Sequence, residues 1–345
     1  MKMMKKSMKL VGVMAIGIFL CILDTTVMNI ALPAIQTGLS TSLEQLSWAL
    51  NLYTILFASL TIPLGRLADI HGRSRFYILG LALFLVGSLF SGLSANVAWL
   101  IVGRGIQSLG AAIVFPASMT IGIQSVPMEK RTSAIATLGV TQGLAAAMGP
   151  TIGGIMTQFF GWRGIFLINI PFTLLSLVLC WRLFDLHEGK QLKERLDVAG
   201  SLFSMMMLFS LTLLLVKGSD WGWMSERCLG LGLLSIIALV AFIVVEAHSQ
   251  QPMVPLALFK EKQFVGSAVV TVMSGIFLVA LLVLMPSFFT KVQNKGELLA
   301  ALMINPRLTH DLHLVTHQRL AVIQGGAASR HFDGESVYDW GLCDP

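Results

Sequence analysis

Two charged residues lie inside long apolar segments, where charges are rare and usually functional. Asp24 is in the middle of the run Leu10–Leu32, next to the polar residues Thr25, Thr26 and Asn29. A charge at the centre of a bilayer costs about 2.5–3.5 kcal/mol on insertion scales, so such groups face a water-filled pathway or a partner. Burial also disfavours the ionised form of a carboxyl group, which favours uptake and release of protons. We predict a proton or substrate site at Asp24; the alternative is a structural acid that hydrogen-bonds neighbouring helices.

The second charge is Arg104, in the apolar run Ala98–Gln124. Gln107 and Ala111, at i+3 and i+7, share its helix face, and the small residues around Ala111 let a neighbouring helix approach closely. Arginine does not release its proton at ordinary pH, but its fixed charge can tune a nearby acid. Arg104 and Gln107 are therefore predicted to line the same pathway as Asp24. The alternative is an arginine that snorkels or bonds backbone carbonyls.

Two further segments combine glycines with residues that shape a turn or a helix. Residues 65–75 read GRLADIHGRSR and separate the apolar runs Trp48–Leu64 and Phe76–Leu93, so we predict a basic loop there. Residues 143–154 read GLAAAMGPTIGG within one apolar run. A proline inside a span kinks the helix, and the pair Gly149 and Gly153 permits close helix packing. Packing alone is enough to explain the second segment.

The composition places these segments in a membrane. The chain is 55% hydrophobic, 12% charged and has a mean hydropathy of +0.78, well above a soluble domain. Nine apolar runs are long enough to span a bilayer. They are Leu10–Leu32, Trp48–Leu64, Phe76–Leu93, Ala98–Gln124, Ser133–Gln158, Gly164–Phe184, Val198–Val216, Leu229–Val245 and Phe264–Phe288.

The net charge is +6, and the basic residues that produce it are distributed according to the order of the spans rather than concentrated on a binding surface. Fifteen lysines and arginines fall at the N-terminus and on every second loop, against three on the intervening loops, Arg163, Lys217 and Arg227. This asymmetry is the positive-inside bias, so it predicts an N-terminus in the cytoplasm. It argues against a nucleic-acid partner. The first apolar run has no small-residue cleavage site after it, so we predict an uncleaved helix rather than a signal peptide.

Enzyme and metal chemistry have little support in the sequence. The four cysteines have no ligand or redox spacing, and no nucleophile elbow, phosphate-cradling glycine loop or HExxH motif is found. His310, His313 and His317 would share a helix face, but we expect no metal site because the surrounding segment has no persistent helix or strand period. We therefore predict a protein that is not an enzyme and binds no metal.

The span pattern divides the chain into five segments. We predict an N-terminal bundle of six helices over 1–184, a cytoplasmic linker over 185–197, and two extra helices with their loop over 198–262. The segment 263–290 is predicted to be the first helix of an incomplete C-terminal bundle. Residues 291–345 have no apolar span and are rich in histidine and arginine, so we expect an aberrant or disordered tail. A frameshift or truncation after about residue 293 explains that tail best, and a divergent natural tail is the alternative.

Together these residues resemble the fourteen-helix drug:proton antiporter branch of the Major Facilitator Superfamily. Five landmarks match in order within residues 10–290, namely Leu23–Pro33, Gly65–Arg75, Arg104–Gly110, Ala145–Gly154 and Gly161–Pro171. The chain departs from the family pattern at Ile70 and Ser74, where basic residues are usual, and at Ala145, which replaces a glycine.

The resemblance implies an all-α multi-pass membrane protein of the major facilitator fold, with an N-terminal six-helix bundle, three further helices and an incomplete second bundle. It implies a plasma-membrane exporter of amphipathic, often cationic compounds, in the manner of antibiotic resistance. The energy source would be inward proton movement, with no other cofactor. Its partners would be the lipid bilayer, protons and the exported compounds.

The resemblance also assigns roles to three sets of residues. The proton and substrate pathway would contain Asp24, Thr25, Asn29, Arg104 and Gln107. The gate loop on the cytoplasmic side would contain Gly65, Asp69, Gly72, Arg73 and Arg75. The helix that confers outward exchange would contain Gly149, Pro150, Gly153 and Gly154.

Two other functions remain open. One is export of a metabolite, such as an amino acid or a sugar, by the same superfamily. The other is a non-transporting half-bundle that binds a membrane partner. In facilitator folds the cargo lies between two halves that rock against each other, so we expect the 345-residue chain alone to be inactive.

Overall fold

The structure is a computed structural model that describes residues 2–184, 197–249 and 252–293, and helices dominate these ranges. The α-helices are α1 (Lys2–Leu39), α2 (Leu43–His71), α3 (Arg73–Gly92), α4 (Val97–Gln124), α5 (Arg131–Phe160), α6 (Gly164–Leu167), α7 (Asn169–Leu183), α8 (Val198–Trp221), α9 (Glu226–His248) and α10 (Lys262–Lys291). Short 3₁₀ turns, Met128–Lys130 and Leu256–Lys260, precede α5 and α10. The predicted all-α class is confirmed.

Several helices begin where a polar side chain can cap them. The side chains of Ser42, Asn96, Asp197 and Ser225 each accept a hydrogen bond from a backbone N–H in the first turn of the helix that follows. Such caps satisfy N–H groups that have no partner within the helix. The sharp reversal between α2 and α3 depends instead on Gly72, whose φ of +103° is a conformation that residues with a side chain rarely adopt.

Seven helical segments of the described chain are long and apolar enough to cross a membrane. They are Ser7–Leu39, Leu43–His71, Arg73–Gly92, Val97–Gln124, Gly164–Leu183, Val198–Trp221 and Glu226–His248, and each coincides with one of the nine predicted spans. The fifth predicted span coincides with α5, which has 30 residues but whose glycines, threonines and glutamines make it less apolar. The ninth lies in α10, where the described apolar stretch is Lys262–Phe277.

The helices pack around α1 and α4. α1 lies against α4, α5 and α7, while α4 also packs on α2 and α3. α8 joins the bundle through α2, and α9 packs on α8. Two apolar clusters fill the interior: Cys21 and Ala111 belong to one, Leu23 and Leu100 to the other. Arg104 and Gln107 fall between the two clusters on α4. Polar side chains are thus concentrated at one level of an otherwise apolar bundle.

The chain forms two compact units, residues 1–279 and 280–345. The first holds α1 to α9 and the beginning of α10; the described part of the second is the end of α10 and residues 292 and 293. Most of the predicted linker 185–197 and of the predicted aberrant tail 291–345, with His310, His313 and His317, lies outside the described residues. The five-segment division therefore stays a prediction.

Candidate functional site

Five buried polar side chains from four helices meet at the level between the two apolar clusters. They are Asp24 of α1, Ser88 of α3, Arg104 and Gln107 of α4, and Asn169 of α7, and we call them the polar cluster. None of the five exceeds 3% exposure, and Arg104 is fully buried. Asp24 lies near the middle of the span Ser7–Leu39, so the cluster belongs to the depth of the bilayer centre.

The carboxylate of Asp24 accepts hydrogen bonds from three side chains. Arg104 Nη1 donates to Oδ2 at 2.5 Å, and Gln107 Nε2 donates to Oδ1 at 2.8 Å. Asn169 Nδ2 donates to the same Oδ1 at 2.9 Å. A buried charge is tolerated when it is paired and its remaining lone pairs are hydrogen-bonded, and Asp24 meets both conditions.

The amide of Gln107 is fixed from both sides. Its Oε1 accepts from Arg104 Nη1 at 2.8 Å, while its Nε2 also donates to Ser88 Oγ at 2.8 Å. Asn169 differs, because its Nδ2 donates to Asp24 and reaches Ser88 Oγ at 3.4 Å, but its buried Oδ1 has no hydrogen-bond partner within the described residues. The orientation of Gln107 is therefore determined by its neighbours, and that of Asn169 only by its donor side.

Aromatic rings enclose the guanidinium group. The Cζ of Arg104 lies 4.0 Å from the centre of the Tyr53 ring and 5.8 Å from that of Phe166. A cation over an aromatic face is attracted by about 2 kcal/mol when desolvated, and both rings are buried. Arg104 is thus held as a permanent buried cation. Protonation of Asp24 would leave this cation without its counter-ion, so the charge of Asp24 determines whether the arrangement is stable.

The structure brings together three of the five residues predicted for the pathway, Asp24, Arg104 and Gln107. Thr25 is half-buried, and its hydroxyl donates to the backbone oxygen of Cys21 at 3.0 Å rather than to the cluster. Asn29 is exposed. This placement has a simple geometric reason, because residues one and five positions after Asp24 lie on other faces of a helix with 3.6 residues per turn.

Sequence reasoning missed three members of the site. Ser88 and Tyr53 carry no signal that separates them from other polar residues in apolar runs. Asn169 did carry one, since an amide in the segment Phe166-Leu-Ile-Asn-Ile-Pro171 needs a buried partner. Its partner could not be identified because it lies 145 positions away in the sequence.

The glycine motif, residues 149–154 of α5, packs against α1 directly beside Asp24. A methyl group added at Gly149 would lie 1.9 Å from Thr26 Oγ1, and one added at Gly153 would lie 2.9 Å from the backbone oxygen of Val27. Only glycine permits this approach. Pro150 lies inside the helix. A methyl group at Gly154 would meet nothing within 4 Å, so packing in the described chain does not explain the glycine at position 154.

The predicted loop at residues 65–75 is almost entirely helical, so that prediction is wrong. α2 continues through Gly65 and Asp69 to His71, and α3 begins at Arg73, which leaves Gly72 as the single connecting residue. The backbone N–H of Gly72 donates to Ala68 O at 3.0 Å, so the glycine both ends one helix and starts the next. The polar residues extend the two helices beyond their apolar spans instead of forming a separate loop.

An ion pair spans this reversal. Arg73 Nε donates to Asp69 Oδ1, and Arg73 Nη1 donates to Gln124 Oε1 at 2.5 Å at the end of α4. The ends of α2, α3 and α4 are thereby connected. A methyl group at Gly65 would only touch Pro116 of α4 at 4.0 Å, and Arg75 is exposed.

Two further charged side chains are buried outside the polar cluster. Lys217 was predicted on a loop but lies inside α8, where its Nζ donates to Asp220 Oδ2 at 2.8 Å and lies 5.1 Å from the centre of the Trp48 ring of α2. Glu246, near the end of α9, accepts from the backbone N–H groups of Met253 and Val254 at 3.2 and 3.4 Å. Lys217 thus contacts α2 from α8, and Glu246 binds the segment that follows α9, so neither belongs to the polar cluster.

Known proteins match the part of the chain that contains the helices and motifs described above. The sequence model of the Major Facilitator Superfamily matches residues 14–306. The chain belongs to the Major Facilitator Superfamily. The match begins inside α1 and includes all five landmarks, and it continues past residue 293, where the tail was predicted to become aberrant. The predicted fold of this superfamily is confirmed.

Curated relatives of this superfamily member carry drug-resistance names. The chain is 36% identical over 253 residues to the methylenomycin A resistance protein of Bacillus subtilis, covering 73% of this chain and 54% of the relative. It is 31% identical to the multidrug resistance protein Stp of Mycobacterium tuberculosis, covering 84% and 54%. It is 30% identical to the probable multidrug resistance protein EmrY of Escherichia coli, covering 85% and 57%. The predicted resemblance to the drug-efflux branch is confirmed, and the chain spans about half the length of these relatives.

Among solved structures, the chain is similar to a bacterial homolog of the human lysosomal transporter Spinster, captured inward-facing and unoccupied. The two share 18% sequence identity and a TM-score of 0.46, over 74% of this chain and 67% of that one.

Proposed function

We propose that this chain forms the N-terminal part of a proton-coupled antiporter that exports amphipathic, often cationic compounds across the bacterial cell membrane. The drug-resistance names of its relatives support drugs as the exported compounds. The asymmetric distribution of lysine and arginine supports an N-terminus in the cytoplasm and a reversal at Gly72 on the same side of the membrane. The proton gradient is the proposed energy source, and no other cofactor is needed.

The observation that carries the proposal is the buried Asp24–Arg104 pair. In a buried ion pair, removing one charge costs about 3–5 kcal/mol because the other is left uncompensated. Protonation of Asp24 removes one charge without removing the side chain. The bundle with protonated Asp24 is therefore less stable in this arrangement, which drives it toward another.

An exchange cycle follows from this charge balance. A cationic compound that approaches ionised Asp24 competes with the proton for the same carboxylate, so binding of one favours release of the other. Opposite movement of cargo and proton requires such competition. Close packing of α5 on α1 at Gly149 and Gly153 places the glycine motif beside the residue whose charge changes. The contacts of Arg73 with Asp69 and Gln124 would hold the cytoplasmic ends of α2, α3 and α4 together in one state of the cycle.

The activity is proposed for a protein with two bundles. Facilitator cargo sites lie at the interface of two halves, and this chain spans about half the length of its relatives. We therefore expect the 345-residue chain alone not to transport. A chimera of residues 1–293 followed by the C-terminal part of the B. subtilis methylenomycin A resistance protein supplies the second half.

The test is energy-dependent efflux of ethidium, an amphipathic cation, from cells that produce the chimera. We expect efflux from the unchanged chimera, none from Asp24→Asn, and unchanged efflux from Glu44→Gln. Glu44 is a matched control because it is an exposed acid at the start of α2 that undergoes the same change from carboxylate to amide. Efflux by Asp24→Asn at the unchanged rate would refute the proton site. Efflux by the 345-residue chain alone would refute the requirement for two bundles.

The metabolite alternative is separated by the cargo itself. An exporter of a sugar or an amino acid would move no ethidium even in the unchanged chimera. Release of a labelled metabolite that depends on Asp24 would then replace drug export as the function.

A further inference from the structure

Asn169 occupies a break in a membrane helix. The apolar span Gly164–Leu183 consists of the short helix α6 and the longer α7, with Ile168 between them, and Asn169 is the first residue of α7. The hydroxyl of Thr173 donates to the backbone oxygen of Asn169 at 2.7 Å, which fixes the backbone at this point. The amide side chain is left to point into the polar cluster, where it meets Asp24.

The two amides of the polar cluster are held differently. Gln107 has its oxygen on Arg104 and its nitrogen on Asp24 and Ser88, so turning it over would break three hydrogen bonds. Asn169 uses its nitrogen only, and its Oδ1 is buried without a hydrogen-bond partner in the described part of the chain. A buried acceptor without a partner calls for an explanation.

The other two side chains that hydrogen-bond Asp24 have no free acceptor for its protonated form. Among the described residues, the titratable or charged groups near it are Arg104 of α4, Tyr53 of α2 and Cys21 one turn earlier on α1. Arg104 has donors only, so it cannot accept a hydrogen bond from a protonated carboxyl group. Gln107 has its acceptor occupied by Arg104. Asn169 alone among these polar partners combines a hydrogen bond to Asp24 with an unused acceptor.

We propose that Asn169 is a positioning residue for the proton step at Asp24, and that its amide turns over when Asp24 takes up a proton. With Asp24 ionised, the N–H of Asn169 donates to Oδ1, as the structure shows. When a proton binds to that Oδ1, the new O–H donates to Asn169 Oδ1 after the amide has rotated by half a turn. The amide can therefore hydrogen-bond to both the ionised and the protonated form of Asp24, but in opposite orientations. This inference rests on the proposed proton-coupled function.

The expected effect on proton affinity follows from the unequal strength of the two hydrogen bonds. A hydrogen bond to an ionised group is roughly twice as strong as one between neutral groups. Asn169 therefore stabilises the ionised carboxylate more than the protonated acid. Removing its amide should raise the proton affinity of Asp24 about tenfold, which moves the midpoint of its protonation up by about one pH unit. The protonated carboxyl group should also lose its hydrogen-bond acceptor.

Infrared difference spectroscopy on the purified 345-residue protein measures both effects. The C=O stretch of a protonated carboxyl group is followed against pH, and the Asp24→Asn spectrum identifies the contribution of Asp24. Asn169→Leu has a similar volume and no hydrogen-bonding group, and Asn169→Ala is measured beside it as a smaller variant. Thr173→Val is the matched control, because it removes a buried hydrogen bond from the same helix without touching Asp24.

We expect both Asn169 variants to shift the midpoint upward by about one pH unit and to raise the C=O stretching frequency, while Thr173→Val changes neither. An unchanged midpoint and frequency in both variants would overturn the role of Asn169 while leaving Asp24 as the proton site. A midpoint that also shifts in Thr173→Val would reduce Asn169 to a structural residue. If no carboxyl band depends on Asp24 at any pH, the proposed proton site itself fails, and the role of Asn169 with it.

Discussion

The packing of Gly149 against α1 gives a direct prediction on stability. Gly149 faces Thr26, two positions from Asp24, and a Cβ at residue 149 would lie 1.9 Å from Thr26 Oγ1 and 2.5 Å from Thr26 Cβ. Ordinary contacts between carbon atoms are about 3.5–4.0 Å. Gly149→Ala therefore forces the two helices apart by about 1 Å at this point. Gly154→Ala changes the same residue type on the same helix but meets nothing within 4 Å.

The magnitude follows from two opposing effects. Alanine is favoured over glycine in a helix interior by about 0.8–1.0 kcal/mol, and this gain applies to both variants. Overpacking costs about 1–3 kcal/mol and applies only to Gly149→Ala, at the upper end because the clash involves Cβ rather than the end of a flexible chain. We expect Gly154→Ala to be neutral or stabilising. Gly149→Ala should have a free energy of unfolding about 2–3 kcal/mol below it.

Reversible unfolding of the purified protein in mixed micelles measures this difference. The double variant Gly149→Ala with Thr26→Ala removes the contact to Oγ1 but keeps the contact to Cβ, so about half of the loss should be recovered. Equal stability of Gly149→Ala and Gly154→Ala would show that α1 and α5 do not approach as described. Full independence of the Thr26 and Gly149 effects would contradict the contact itself.

Three further predictions use the same measurement of unfolding free energy. The free energy of unfolding of Arg104→Leu should fall by about 3–5 kcal/mol because Asp24 is left uncompensated. Arg104→Leu combined with Asp24→Leu should lose far less. Equal losses in the two variants would contradict a coupled pair. Gly72→Ala should lose about 1–3 kcal/mol through its φ of +103° alone, since a methyl group there meets nothing within 4 Å. Lys217→Met should change stability by less than about 1 kcal/mol because its partner Asp220 is 58% exposed and stays hydrated; a larger loss would mean that the lysine is paired more strongly than the structure indicates.

The sequence predicted the membrane class and most spans because apolar length is a property of each segment by itself. It failed to predict features that depend on contacts between two segments. The basic motif looks like a loop when polarity is counted, but helices extend beyond their apolar spans, and Gly72 alone provides the reversal. Two of the α5 glycines, Gly149 and Gly153, likewise have a structural reason only beside α1, where they permit close packing.

The charged residues of the candidate site could be predicted from the sequence, but the side chains that they contact could not. Asp24 and Arg104 stand out because a charge in a span needs compensation. Their direct contact, and the contribution of Asn169, depend on which helix faces meet, which one sequence does not specify. Asn29 was predicted by its closeness to Asp24 along the chain and proved to be exposed. Closeness in sequence is a poor guide when the partners come from four helices.

Proton movement against the exported cation tests the central proposal most directly. Inverted membrane vesicles carrying the chimera are acidified inside, and proton exit is recorded when ethidium is added outside. We expect proton exit with the unchanged chimera and with Glu44→Gln, and none with Asp24→Asn. Proton exit of the same size from Asp24→Asn would contradict the assignment of Asp24 as the residue that couples the two movements.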